Sequence, residues 1–112
     1  MTPITATAEW EALERLGSRG RKVDLRHTFA EDPARAERLT FVAGDLMVDL
    51  SKHLVTDEVI TALLAVARRA GLSDRIAALF AGDRINVTED RAVLHPALRA
   101  GPSDEFSVDG ID

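Results

Sequence analysis

The chain has no cysteine and no tyrosine, and one tryptophan and four phenylalanines are its only aromatics besides histidine. Without cysteine there is no disulfide, no thiolate nucleophile and no cysteine-based zinc site. Positive charge is also in deficit. Fourteen Lys and Arg face 19 Asp and Glu, a net charge of −5, which weighs against a nucleic-acid partner, since such binders carry a basic surface. Long hydrophobic runs are missing. The longest, residues 62–67, falls far short of the ~20 residues needed to cross a bilayer, so no membrane partner is expected. The segment from Met1 to Thr7 lacks the basic and apolar regions of a secretory signal, and the expected location is cytoplasmic. What is present is 46% hydrophobic and 29% charged residues in 112 positions, the composition of one globular domain.

Periodicity sets out the elements. Residues 8–16 read as an amphipathic helix burying Trp10, Leu13 and Leu16 and ended by Gly17. Arg19, Arg21 and Lys22 read as a solvated loop. His27 and Phe29 lie in a short element interrupted by Asp32-Pro33, where Asp32 can cap the next turn and Pro33 suits its first position. Residues 39–43 and 46–50 are β-prone runs joined at Gly44-Asp45, a hairpin. Leu46, Val48 and Leu50 alternate with Met47 and Asp49, which predicts one buried face. Thr56 caps the strongest helix. Asp57 and Glu58 in its first turn and Arg68-Arg69 in its last suit the helix dipole. Val59, Ile60, Leu63, Leu64 and Ala67 form its buried face, and Gly71 stops it. Ser73 is expected to cap a further helix, residues 76–80, ending at Gly82.

The next segment reads as a glycine-broken loop feeding a third amphipathic helix. Thr88 is a suitable N-cap, with Glu89 and Asp90 at the positive end of the dipole. Val93, Leu94, Ala97 and Leu98 repeat at helical spacing, and Arg91, His95 and Arg99 form a basic stripe opposite. Pro96 would leave the Ala92 carbonyl without its partner and costs about 3 kcal/mol in a straight helix. Burying Leu98 is worth roughly 1.5–3 kcal/mol, which favours a kinked continuous helix over a break. Phe106 and Val108 alternate with Ser107 as an incoming strand, and Asp109-Gly110 is a hairpin signal with only Ile111 and Asp112 beyond it. A hairpin without its return strand points to truncation of a larger domain. The expected class is α+β, mostly helical with a β-hairpin.

No constellation of side chains reads as a catalytic, cofactor or metal site. His27, His53 and His95 share no ligand spacing. In Ser51-Lys52-His53, neighbours at a strand end point to opposite faces and cannot converge as nucleophile and base. Asp49 with Lys52, or Lys52 with a later acidic residue, is a structural pair worth about 0–1 kcal/mol if exposed. Asn86-Val87-Thr88 matches a glycosylation acceptor, which a cytoplasmic protein would leave unused. Arg91, His95 and Arg99 make either a solvated or salt-bridged stripe, or an anion site or contact to carboxylates elsewhere in a larger protein.

As strings of residues, four segments resemble the glucose-6-phosphate isomerase family in order. They are Phe29 with Asp32-Pro33, then Asp49-Leu50-Ser51-Lys52-His53 with Val55-Thr56. Next comes Gly82-Asp83-Arg84-Ile85-Asn86-Val87-Thr88-Glu89-Asp90-Arg91-Ala92-Val93-Leu94-His95-Pro96-Ala97-Leu98-Arg99, and last Val108-Asp109-Gly110-Ile111-Asp112. Leu50 replaces the family's tyrosine, and Pro96 departs from its pattern. The resemblance implies the N-terminal fragment of an α/β sugar-isomerase (SIS-type) architecture several times longer. It implies interconversion of glucose 6-phosphate and fructose 6-phosphate through an enediol in glycolysis and gluconeogenesis, by a cytoplasmic homodimer needing no cofactor. The family's Gly-Gly-Arg segment, phosphate loop and C-terminal lysine signature have no counterpart here, and Glu89 does not match the catalytic glutamate's motif. No catalytic residue is therefore carried over, and the chain alone is expected to be inactive. The competing class is a small non-enzymatic α-helical interaction module. In the fragment reading, the faces of Val59-Ile60-Leu63-Leu64 and Val93-Leu94-Ala97-Leu98 should remain uncovered.

Overall fold

The computed structural model describes residues 2–20 and 22–108. The expected α+β class is what it has: among the described residues, helices and one two-stranded antiparallel hairpin. The chain divides into two compact units, Met1–Val66 and Ala67–Asp112.

In the first unit, Thr7 joins a 3-10 turn (Ile4–Ala6) to helix α1 (Ala8–Gly20). Its hydroxyl donates to the Ile4 carbonyl at 2.6 Å and accepts from the Trp10 amide at 3.4 Å, which satisfies one of the orphan donors of the helix start. Gly17 does not end α1. It keeps a right-handed backbone, and the helix runs on to Gly20, because glycine in a helix costs only about 1 kcal/mol. Helix α2 (Leu25–Glu31) is capped by Asp24, whose carboxylate accepts from the Arg26 and His27 amides at 2.9 and 3.5 Å. Asp32 then opens the next turn with its backbone carbonyl, which accepts from the Arg35 amide at 3.0 Å. That turn leads into the single-turn helix α3 (Arg35–Arg38).

The hairpin forms where expected. Strands β1 (Thr40–Ala43) and β2 (Leu46–Asp49) pair from Thr40 opposite Asp49 to Ala43 opposite Leu46. Gly44, at φ 59°, supplies the positive dihedral the tight turn needs. The expected buried face is not there. Val42 is 74% exposed, Leu46 64% and Met47 71%, and Phe41 and Val48 are exposed too. Helix α3 packs on β1 at its root and is one turn long, too short to cover the strands. The well-buried side chains of this unit besides Thr7 are Arg35, Leu39 and Ser51, all at the base of the hairpin.

Helix α4 (Asp57–Arg69) is the one the sequence announces most clearly. Thr56 caps it by accepting the Val59 amide at 3.3 Å, and Gly71 ends it at φ 67°. Gly71 also opens α5 (Leu72–Phe80), with no side-chain cap. Ser73 therefore lies inside α5 and does not start it, because the left-handed glycine turns the chain two residues earlier. Gly82, at φ 75°, follows the end of α5.

The helix expected from Thr88 does not form. The Asn86 and Arg91 backbones pair through bonds of 3.1 and 3.2 Å, closing a loop of four residues between them. The Asn86 carboxamide accepts the Glu89 amide at 3.4 Å and donates to the Glu89 carboxylate at 3.1 Å. Asp90 adopts a left-handed φ of 52°, and its carboxylate accepts from Arg84 at 2.8 Å. A short polar side chain that captures a local amide competes with helix, and here Asn86 outcompetes Thr88. Pro96, at φ −62° and ψ −35°, precedes a 3-10 turn (Ala97–Arg99), a place where its missing amide is not needed. His95 is outside any helix, so the kinked helix is replaced by a break. Leu98 is 86% exposed, and the burial energy that would have offset the proline never arises. The Asp109-Gly110 turn lies outside the described residues.

Apolar side chains are left open in each unit, although the helix face expected to carry Leu94 and Leu98 does not form. Leu63, Leu64, Leu94 and Leu98 are all exposed, while Val59, Ile60 and Val93 are half-buried.

Candidate functional site

The most constrained chemistry in the first unit is at the hairpin root. Arg35 is 2% exposed. Its Nε donates to the Ser51 carbonyl at 2.8 Å, and its Nη2 donates to the carbonyls of His53 and Val55 at 3.0 and 2.9 Å. The Phe29 ring lies 5.8 Å from the guanidinium carbon, within cation–π range. A planar fork of donors can bind three successive carbonyl directions at once. This arginine therefore fixes the path of residues 51–55 from the end of β2 to the cap of α4. Three carbonyls engage three of its five N–H donors, and the Phe29 ring lies near its charge.

Ser51 belongs to the same anchor. It is 1% exposed, and its amide donates to Asp49 at 2.8 Å. The Ser51 hydroxyl and amide together hold the Asp49 carboxyl below the ordinary carboxylate range, with smaller help from the charge of Lys52. Lys52 thus acts on Asp49 as a nearby charge. His53 contributes its carbonyl to Arg35.

Arg38 ties two helix entrances together. It binds Asp32 at 2.6 Å and Asp57 at 2.7 Å. The hydrogen bond from Arg38 is the main cause holding the Asp32 carboxyl below its ordinary value. A depressed carboxylate stabilises the fold above its unfolded pKa, near 3.8, and that contribution is lost as pH falls through the lower folded value. The urea midpoint of the chain should therefore fall with acidification below about pH 4. Asp32→Asn should lie below wild type at pH 7 and converge on it at low pH. A constant gap between the two across that range would remove the Asp32 assignment.

In the second unit an open groove of about 830 Å³ has Leu79, Phe80, Pro96 and Phe106 among its apolar lining, with Arg99, Asp104 and Glu105 as its charged groups and His95 beside them. The structure thus brings together two members of the expected basic stripe and leaves Arg91 in the 86–91 loop. Both signs of charge meet in the groove, and Asp104 is already engaged by the Gly101 amide at 2.7 Å. Such a lining does not single out an anion. His27 pairs with Glu31 at 3.2 Å on α2, so the three histidines lie on three separate elements. Among the described residues no group of three His, Asp or Glu side chains could hold a metal ion, and no helix is long and apolar enough to cross a membrane. Arg35 and Arg38 are the side chains that sequence reasoning missed. Their helix is a single turn, too short for periodicity to register, and their partners are 16–20 and 6–19 residues away.

Comparison with known proteins agrees with the four-segment resemblance. A family model described as phosphoglucose isomerase matches residues 49–112. A glucose-6-phosphate isomerase from Roseiflexus castenholzii is 51% identical over 112 residues, all of this chain and 21% of that protein. One from Frankia casuarinae is 50% identical over 109 residues, 97% of this chain and 20% of that protein. One from Nitrosospira multiformis is 47% identical over 112 residues, again 21% of its length. The chain thus spans about a fifth of the length of the curated relatives it matches. On the match to more than half of its residues, together with near-50% identity along its whole length, the chain belongs to the phosphoglucose isomerase family.

Proposed function

We propose that this chain is the N-terminal part of a glucose-6-phosphate isomerase, and that it supports catalysis by folding against the portion that carries the chemistry. The assembled enzyme interconverts glucose 6-phosphate and fructose 6-phosphate as a cytoplasmic homodimer without a cofactor. The observation that carries this reading is the combination of about 50% identity along the chain with coverage of only a fifth of each relative. The anchors described above support a structural role for these residues. Arg35 holds the backbone of residues 51–55, the Ser51 amide binds Asp49, and Arg38 joins Asp32 to Asp57. A free-standing interaction module has no need of the ordered family segments.

Aldose–ketose isomerisation needs a positioned base and charge stabilisation of the enediolate, and such preorganised groups supply most of the rate. The chain purified from a host lacking its own isomerase should therefore show no turnover in a coupled assay for glucose 6-phosphate formation. Turnover that copurifies with the chain from that host would overturn the assignment of catalysis to other residues.

A further inference from the structure

The hairpin β1–β2 combines two properties that do not usually occur together. Its root is the best-buried part of the first unit, with Arg35, Leu39 and Ser51 each at most 2% exposed. The Leu50 amide donates to the Leu39 carbonyl at 2.9 Å, which continues the pairing into that root. Its blade, by contrast, is apolar on both sides. The register places Val42 beside Met47 on one face, and Phe41 beside Val48 with Leu46 on the other. All five are exposed. A two-stranded hairpin in water is at best marginally stable, and an ordinary surface hairpin carries polar residues on its solvent face.

We propose that this hairpin is an insertion tongue, with both faces covered when it enters an apolar cleft on the remaining four-fifths of the isomerase polypeptide. This rests on the reading under Proposed function. Two arguments select that occupant. The relatives carry about four times this chain's length beyond what it matches, ample polypeptide to build both walls of a cleft. A second copy of this chain pairing symmetrically through one face would leave the other face in water. The three-carbonyl grip of Arg35 holds the tongue's base, so its ordering cost is met before docking, which favours tight association.

The test uses the full chain and the Roseiflexus castenholzii isomerase lacking the region this chain matches, with association followed by size-exclusion chromatography and isomerase activity. The wild-type chain should bind the truncated enzyme and restore activity. Val42→Thr with Met47→Gln alters one face, and Phe41→Thr with Val48→Thr alters the other. Each pair should weaken association at least 10-fold and leave the helical circular dichroism of the free chain unchanged. Glu37→Gln, an exposed change off the hairpin, should bind as wild type. Wild-type binding that neither pair weakens would overturn the tongue and leave the functional reading standing. Weakening by only one pair would reduce the tongue to a one-sided contact and overturn it as stated. Failure of the wild-type chain to associate would overturn the functional reading and the tongue together. A pair that loses helical signal is replaced by Val42→Thr or Val48→Thr alone, with the same expectation in lesser degree.

Discussion

Arg35→Ala should destabilise the first unit by about 2–5 kcal/mol, since a buried carbonyl left without its donor costs about 1–3 kcal/mol. Three bonds, at 2.8, 3.0 and 2.9 Å, disappear together. Their acceptors are the backbone carbonyls of Ser51, His53 and Val55, which no side-chain change can remove. This differs from buried side-chain ion pairs, where both partners can be exchanged for hydrocarbon at little cost. Arg35→Met should therefore fare little better than alanine, although it restores much of the packing volume. Arg35→Lys keeps the charge but replaces a planar fork with a point donor, so its loss should be intermediate. Urea unfolding followed by circular dichroism measures all three. An alanine variant within 0.5 kcal/mol of wild type, the range of ordinary surface substitutions, would show that water replaces the guanidinium without penalty and that the root is not an anchor.

Gly82→Ala should be the most damaging small substitution in the second unit, at roughly 2–4 kcal/mol, since strain at φ above zero alone costs about 1–3 kcal/mol. A Cβ at Gly82 would run into the Ser107 carbonyl oxygen, closer than a non-bonded carbon and oxygen can sit without displacement. That oxygen is backbone, so relief requires the 106–108 segment to move. Gly71→Ala separates the two effects. Its φ of 67° is comparable, and nothing lies within 4 Å of the added carbon. It should therefore cost only the strain. Equal losses for the two variants, measured by thermal unfolding, would mean that the close approach of Gly82 to Ser107 contributes nothing. Limited proteolysis around Phe106 should rise for Gly82→Ala alone.

The parts of this fold that were legible are those whose signals are local and agree with one another. At α4 the Thr56 cap, the acidic first turn, the basic last turn and Gly71 all point to the same boundaries, and the helix occupies them. The hairpin was legible for the same reason, with β-prone runs on either side of Gly44. Its burial was not, because alternation reports that a face is apolar and cannot report which polypeptide covers it. The segment after Gly82 failed where two local signals competed. Thr88 and Asn86 are both able to accept a first-turn amide, and the pairing of Asn86 with Arg91 decided in favour of the loop. Proline had already marked the weakness of the helix, and the energy set against it came from burial of Leu98 that the chain does not provide. Arg35 was invisible because its partners are carbonyls, which carry no residue-type signature.

The uncovered hairpin also has a consequence for biosynthesis. In an isomerase as long as the relatives, with this chain as its proposed N-terminal fifth, the tongue leaves the ribosome before any of its cleft has been translated. At about 5–20 residues per second, it would wait on the order of tens of seconds with Phe41, Val42, Leu46 and Met47 open to water and the outer edges of β1 and β2 unpaired among the described strands. Exposed edges flanked by apolar side chains recruit other strands. On nascent chains spaced along one message, the nearest strand is the same hairpin on the neighbouring ribosome. Slowing translation downstream of this segment should lower the soluble yield of the whole enzyme, and the Thr and Gln substitutions that block docking should relieve that loss.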